Sequence, residues 1–136
     1  MTGEEIIKGL ALVAAWKHEH QNGVNGMLAV LFVLRNRVND GWFNGDWMLN
    51  VEALFNSGPD DWTVNTQGIE EGSFPDVREP SFIKLMQYID GVFDGTQTDT
   101  LTDGALYFCP TNSTDTQSMW LPVAVIGSTT YYKIKK

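Results

Sequence analysis

Trp16-Lys17-His18-Glu19-His20 places two imidazoles and a carboxyl at consecutive positions, and it is the densest chemistry-bearing stretch of the chain. The segment closes one apolar, helix-spaced run and stands just before another, so Glu19 sits at a junction that can face a cleft. Burial beside Trp16 and near Met27 would disfavour the charged carboxylate and raise its pKa. An acid that protonates the leaving oxygen of a glycosidic bond needs that shift. The bland alternative is a solvated glutamate at a helix end. A zinc site is the second reading of His18, Glu19 and His20. Ligands one and two residues apart point to different faces of a helix, unlike the i, i+4 pair of a metalloprotease. The chain has no other histidine, so neither a metal nor another cofactor is expected. Cys109, the lone cysteine, reads as a small core residue in an apolar strand. No GxGxxG or Walker pattern offers a phosphate loop.

The elements that must position Glu19 follow from periodicity. Thr2-Gly3-Glu4-Glu5 reads as a capping box. Ile6, Ile7, Leu10, Ala11, Val13 and Ala14 then mark a helix from about Gly3 to His18 or Glu19. The stretch from Gln21 to Gly26 is turn-rich. Met27 to Val38 is apolar nearly all round at its start and predicts the buried central helix. A short helix is expected around Trp47 to Phe55, followed by a long Gly-, Pro- and Asp-rich loop over Asn56 to Glu79. Pro80 suits the first turn of another helix, which stops before Gly95. Strands are expected at Ala105–Cys109, Val123–Ile126 and Thr129–Ile134, with Gly127-Ser128 as a two-residue hairpin turn. The fold class is α+β, with helices around a buried central helix and a small antiparallel sheet near the C-terminus.

Composition narrows the function. The 136 residues match one domain spanning the whole chain. A formal charge of -8, with basic residues scattered except near the end, makes a poor polyanion binder. Nucleic acid and anionic membrane surfaces are therefore not expected partners. The longest apolar stretch, Met27 to Leu34, is too short to insert across a bilayer. Met1 to Glu5 lacks a basic n-region, so no Sec-type signal peptide is expected. Aromatic residues are plentiful: Trp42, Trp47, Trp62, Trp120, Tyr107, Phe108, Tyr131 and Tyr132. Most should be core, with one or two free to stack on sugar rings.

Three segments resemble one family in the right order. The first is Glu19, a short Gly-containing turn, then Gly26-Met27-Leu28-Ala29-Val30 and Val33-Leu34-Arg35-Asn36-Arg37-Val38. The second is Thr102-Asp103-Gly104-Ala105-Leu106-Tyr107-Phe108, and the third is Trp120 with Ile126-Gly127-Ser128-Thr129-Thr130-Tyr131-Tyr132. Glu79-Pro80 fits as well. Together they resemble the SleB-like cell-wall hydrolases, which include spore cortex-lytic enzymes and many phage proteins. The resemblance runs from about Leu12 to Lys133. Against the family pattern, His20 stands where a small residue is common, a second glutamate is missing near Gln21-Asn22-Gly23, and Thr129 replaces a histidine.

The resemblance implies a lysozyme-like fold and cleavage of peptidoglycan between N-acetylmuramic acid and N-acetylglucosamine, with Glu19 as general acid/base. Lytic transglycosylation is the expected reaction, because one carboxylate can then serve both steps. A hydrolytic muramidase would want a second carboxyl, for which Asp40, Asp46, Glu52, Asp60 and Asp61 are candidates. Gln21 and Asn22 are expected to hydrogen-bond the N-acetyl groups, while Tyr107, Phe108 and Trp120 line the cleft. Asn36 is expected to tie the central helix to a neighbouring loop. The partner is the peptidoglycan glycan strand, met by a monomer made in the cytoplasm of a bacterium or phage-infected host and acting on the wall or from a virion. The competing classes are an inactive peptidoglycan-binding virion module and a metal-dependent amidase.

Overall fold

The structure is a computed structural model that describes residues 3–56, 78, 80–113 and 116–134. The Thr2 cap, Glu79, and Asp60, Asp61 and Trp62 of the long segment before it lie outside the described residues. Helix α1 (Gly3–Glu19) runs into a 3-10 turn (His20–Asn22) and then directly into α2 (Gly23–Asn39). The turn expected up to Gly26 is therefore shorter, and α2 begins at Gly23 rather than Met27. Gly23 takes φ +76, a left-handed conformation that redirects the chain within one residue and removes the need for a loop.

Every residue of α2 from Gly26 to Leu34 is buried. Around it pack α1, α3 (Trp47–Asn56) and α4 (Pro80–Asp94), with Phe82, Leu85, Ile89 and Val92 of α4 buried on its apolar face. Ala29 and Val33 face the other way, against Ala105 and Tyr131 at the sheet. This two-sided burial is why the run is apolar nearly all round. Of the apolar set read on α1, Ala11 and Ala14 are fully buried together with Ala15, Ile7 and Leu10 pack against the core, and Ile6 is 43% exposed. Small side chains let α1 approach α2 closely, so the alanines and not the larger residues define the contact.

The sheet has three strands in the order β1 (Tyr107–Pro110), β3 (Thr129–Ile134), β2 (Trp120–Ile126), all antiparallel. β1 starts at Tyr107 rather than Ala105, and β2 is longer than expected. Pro110 and Pro122 both fall on edge strands, where a missing amide donor spoils no interior ladder. A bulge between Pro122 and Ala124 absorbs the second one. Gly127-Ser128 makes the hairpin turn, with Ile126 paired to Thr129. The architecture is a helical layer joined to a small antiparallel sheet.

The loop before β1 is stapled to α2. Asp99 accepts the amides of Leu101 and Thr102 at 3.1 and 2.8 Å, the amide of Gly104 at 3.1 Å, and the Thr102 hydroxyl. Asn36 Nδ2 donates to Asp99 at 3.3 Å and to Ala105 O at 3.0 Å, the structural tie expected of it. Arg37 Nε continues the seam by donating to Leu106 O at 2.8 Å. These bonds fix where β1, and hence Tyr107 and Phe108, meets the helices. Among the described residues, no helix is long and apolar enough to cross a membrane.

Candidate active site

The end of α1 and the start of β3 meet at Glu19. Its side chain is 2% exposed and is surrounded by donors. Tyr131 Oη donates to Oε1 at 2.7 Å. Thr129 Oγ1, Asn22 Nδ2 and Gln21 Nε2 donate to Oε2 at 3.0, 3.2 and 3.4 Å. The apolar company expected around this carboxyl is thus replaced by a polar cradle. Burial still dominates and raises the Glu19 pKa above the ordinary glutamate value, while the bonds from Tyr131, Thr129 and Asn22 pull the other way. A carboxylate oxygen has two lone pairs, so Oε2, with three donors, is saturated. Oε1, with one donor, is where a proton fits.

Local sequence makes this cradle possible. Thr129 and Tyr131 are two apart on β3 and therefore share a face, and both are buried at the helix junction. Their aromatic and hydroxyl groups come from the central strand, whose position is fixed on both sides. A Cβ at Gly26 would lie 2.7 Å from the Asn22 Cβ and 3.2 Å from Glu19 O, so the first turn of α2 can close on α1 only with glycine there. Gly127, at φ +58, is pressed against the Asn22 amide where a Cβ would collide. The Asn22 Oδ1 in turn accepts the Ser128 amide at 3.2 Å.

Glu19 contributes to the wall of a cleft of about 1230 Å³. Tyr107, Phe108 and Trp120, the aromatic residues singled out from sequence, line it together with Gln21, His18 and Arg37. Asn22 does not: its Nδ2 is engaged by Glu19 and by Thr129 Oγ1 at 3.3 Å, and its Oδ1 by Ser128. It positions the carboxyl and the hairpin, which leaves Gln21 as the amide at the cleft. Tyr107 and Trp120 belong to a longer aromatic chain, of which Trp42 and Tyr132 are not among the cleft-lining residues. Trp42, Tyr107, Trp120 and Tyr132 follow one another at centroid distances of 5.4, 4.6 and 5.3 Å. Phe108 stacks on Tyr131 at 5.7 Å and meets His18 edge-on at 5.3 Å.

Among the described residues that line the cleft, Glu19 is the one carboxylate. Asp40 lines a separate cavity with Asn36, Leu106 and Lys133, Asp46 caps α3 by accepting the Leu49 amide at 2.8 Å, and Glu52 is exposed on α3. Neither histidine stands beside Glu19 as a partner. His18 Nε2 donates to Leu54 O at 2.8 Å, and burial lowers its pKa. His20 is stacked on Trp16 at 4.7 Å with Nδ1 bonded to Trp16 O. Comparison of the chain with family models, with curated proteins and with solved structures gives no match in any of the three. The chemistry must be argued from the site.

Three residues of the site were not singled out from sequence. From sequence, Thr129 stands where the resembled family carries a histidine, Tyr131 is one aromatic among many, and Arg37 belongs to the polar end of α2. The i, i+2 spacing of Thr129 and Tyr131 puts both on one face of a strand, but nothing in the sequence says that this face docks on Glu19. Arg37 carries no signal, because its exposure depends on where β1 lies.

Proposed function

We propose that this protein cleaves the glycan strands of peptidoglycan between N-acetylmuramic acid and N-acetylglucosamine, as a lytic transglycosylase with a lysozyme-like fold. The observation that carries the reading is a buried carboxyl of raised pKa, Glu19, in the wall of an aromatic-lined cleft where no other described residue offers a carboxylate. The ordered resemblance to SleB-like cell-wall hydrolases supports it.

Glu19 begins protonated and gives its proton to the glycosidic oxygen as the bond to C1 of the muramic residue breaks. The leaving N-acetylglucosamine departs with a hydroxyl, and a cation-like sugar remains. The carboxylate then removes the proton of the muramic 6-hydroxyl as O6 attacks C1. The product is a 1,6-anhydro end, and Glu19 regains its proton. A single carboxyl suffices because the second nucleophile belongs to the substrate. The cradle suits both states. The carboxylate accepts from Tyr131, whereas the protonated form can donate to the Tyr131 oxygen, whose own hydrogen then turns to Gly26 O at 3.4 Å. Burial pushes the Tyr131 pKa up, so the phenol stays protonated throughout.

Mass spectrometry of the fragments released from purified peptidoglycan tests the reaction. Anhydro-muramyl ends are expected. Reducing ends one water heavier would reject transglycosylation and assign a hydrolytic muramidase.

A further inference from the structure

Among the described residues, Arg37 is a cation without an anion. Only its Nε is occupied, by Leu106 O at 2.8 Å, and no carboxylate among the described residues forms an ion pair with it. The guanidinium carbon lies over Trp42, 4.6 Å from the ring centroid, a cation–π contact. With Nε committed to Leu106 O, the two terminal nitrogens form the free edge of the fork. That group lines the same cleft as Glu19, beside Tyr107 and Trp120. It is near enough to His18 for its charge to help lower the imidazole pKa. Burial lowers the Arg37 pKa to about 10, so it remains charged at neutral pH.

Its terminal nitrogens are not among the buried unpartnered polar atoms of the described residues, so they reach solvent and are open to a ligand. The chain as a whole carries a charge of -8, so diffuse attraction for polyanions is not its role. A planar fork of this kind matches one carboxylate, held by two parallel hydrogen bonds. We infer that Arg37 is a carboxylate-binding subsite of the cleft, which selects glycan whose muramic residues carry a free carboxyl group over neutral glycan. This rests on the peptidoglycan reading above. Two sources offer the same chemistry: the lactyl carboxyl of peptide-free muramic acid, and a carboxyl of the stem peptide. Trp42 and Leu106 position the fork, and the Tyr107–Trp120 stack offers a face for the adjoining sugar.

The test measures binding with Glu19→Gln as the background, so that ligand is not consumed. Calorimetry compares peptide-free glycan fragments with the same fragments after amidation of their carboxyls, and stem-bearing fragments with their amidated forms. The carboxylate form of one pair should bind about tenfold to a hundredfold tighter than its amide, the range for a hydrogen-bonded charge pair. The pair that shows the preference identifies the source. Adding Arg37→Met should bring that ratio to near one, and Arg37→Lys should leave an intermediate ratio, because it keeps the charge without the fork. A ratio that persists in Arg37→Met overturns the subsite, and so does a variant that weakens both members equally. If the Arg37-containing protein binds both members of each pair equally, the subsite is wrong and the peptidoglycan reading stands. If it binds no glycan at all, both fall. Circular dichroism of each variant checks that the tie to Leu106 has not been lost with the fold.

Discussion

Tyr131 Oη reaches Glu19 Oε1 across 2.7 Å although the two residues are 112 apart in sequence. The bond locks the central strand of the sheet to the last residue of α1, and so couples the orientation of the carboxyl to correct closure of the β2–β3 hairpin. Because the phenol donates to the charged form, it holds the Glu19 pKa lower than burial alone would set it.

Replacing Tyr131 with Phe therefore has a directional consequence. Activity that needs Glu19 protonated falls as pH rises through its pKa, and Tyr131→Phe should move that descending limb of kcat/KM to higher pH. The ring keeps its stack on Phe108, so the fold is retained. A limb that stays in place or moves to lower pH would show that the hydroxyl does not tune the acid.

Glu19 and Asp99 should shape stability in opposite directions. The folded pKa of Glu19 is raised, so its contribution is fully present below the ordinary glutamate value and is lost as pH rises through the folded value. Glu19→Gln should accordingly gain stability relative to wild type as pH rises above the ordinary glutamate value of about 4.3, as read by denaturant unfolding. For Asp99, burial would raise the pKa, but hydrogen bonds from Thr102, Gly104 and Asn36 outweigh it and leave it lowered. Its contribution is present above the ordinary aspartate value and disappears as pH falls through the folded one. Asp99→Asn should destabilise by about 1–3 kcal/mol at neutral pH, and converge on wild type in acid. A constant gap for either variant would contradict these assignments.

The aromatic wall should act on binding. Trp120→Ala and Tyr107→Ala each remove one face of a stack at 4.6 Å, and KM for soluble glycan fragments should rise about threefold to tenfold, with kcat changed less. A fall in kcat with KM unchanged would place these residues away from the substrate.

How far the sequence foretold this arrangement depends on range. The central helix was legible because Gly26 to Leu34 is buried on all sides, and only an apolar run survives that. The hairpin was legible because Gly127-Ser128 encodes its own turn. Asn36 was legible as a tie, since an amide at the end of a core helix must find partners. Periodicity marked α1 but not which of its apolar residues go deepest: close helix approach buries Ala11 and Ala14 and leaves Ile6 at the surface. The cradle of Glu19 was not legible: Thr129 and Tyr131 lie 110 and 112 residues away. Nothing local to Trp16–His20 says which strand will dock on it. Arg37 escaped for the same reason, since β1 alone turns a helix end into a cleft wall.

The claim on which everything else depends is that Glu19 moves the proton. Release of soluble fragments from purified peptidoglycan, followed for wild type and Glu19→Gln alongside circular dichroism and sedimentation binding to the same material, tests it most directly. The account predicts a loss of about a hundredfold to ten-thousandfold in release rate, with fold and binding kept. Release at the wild-type rate by Glu19→Gln would contradict it.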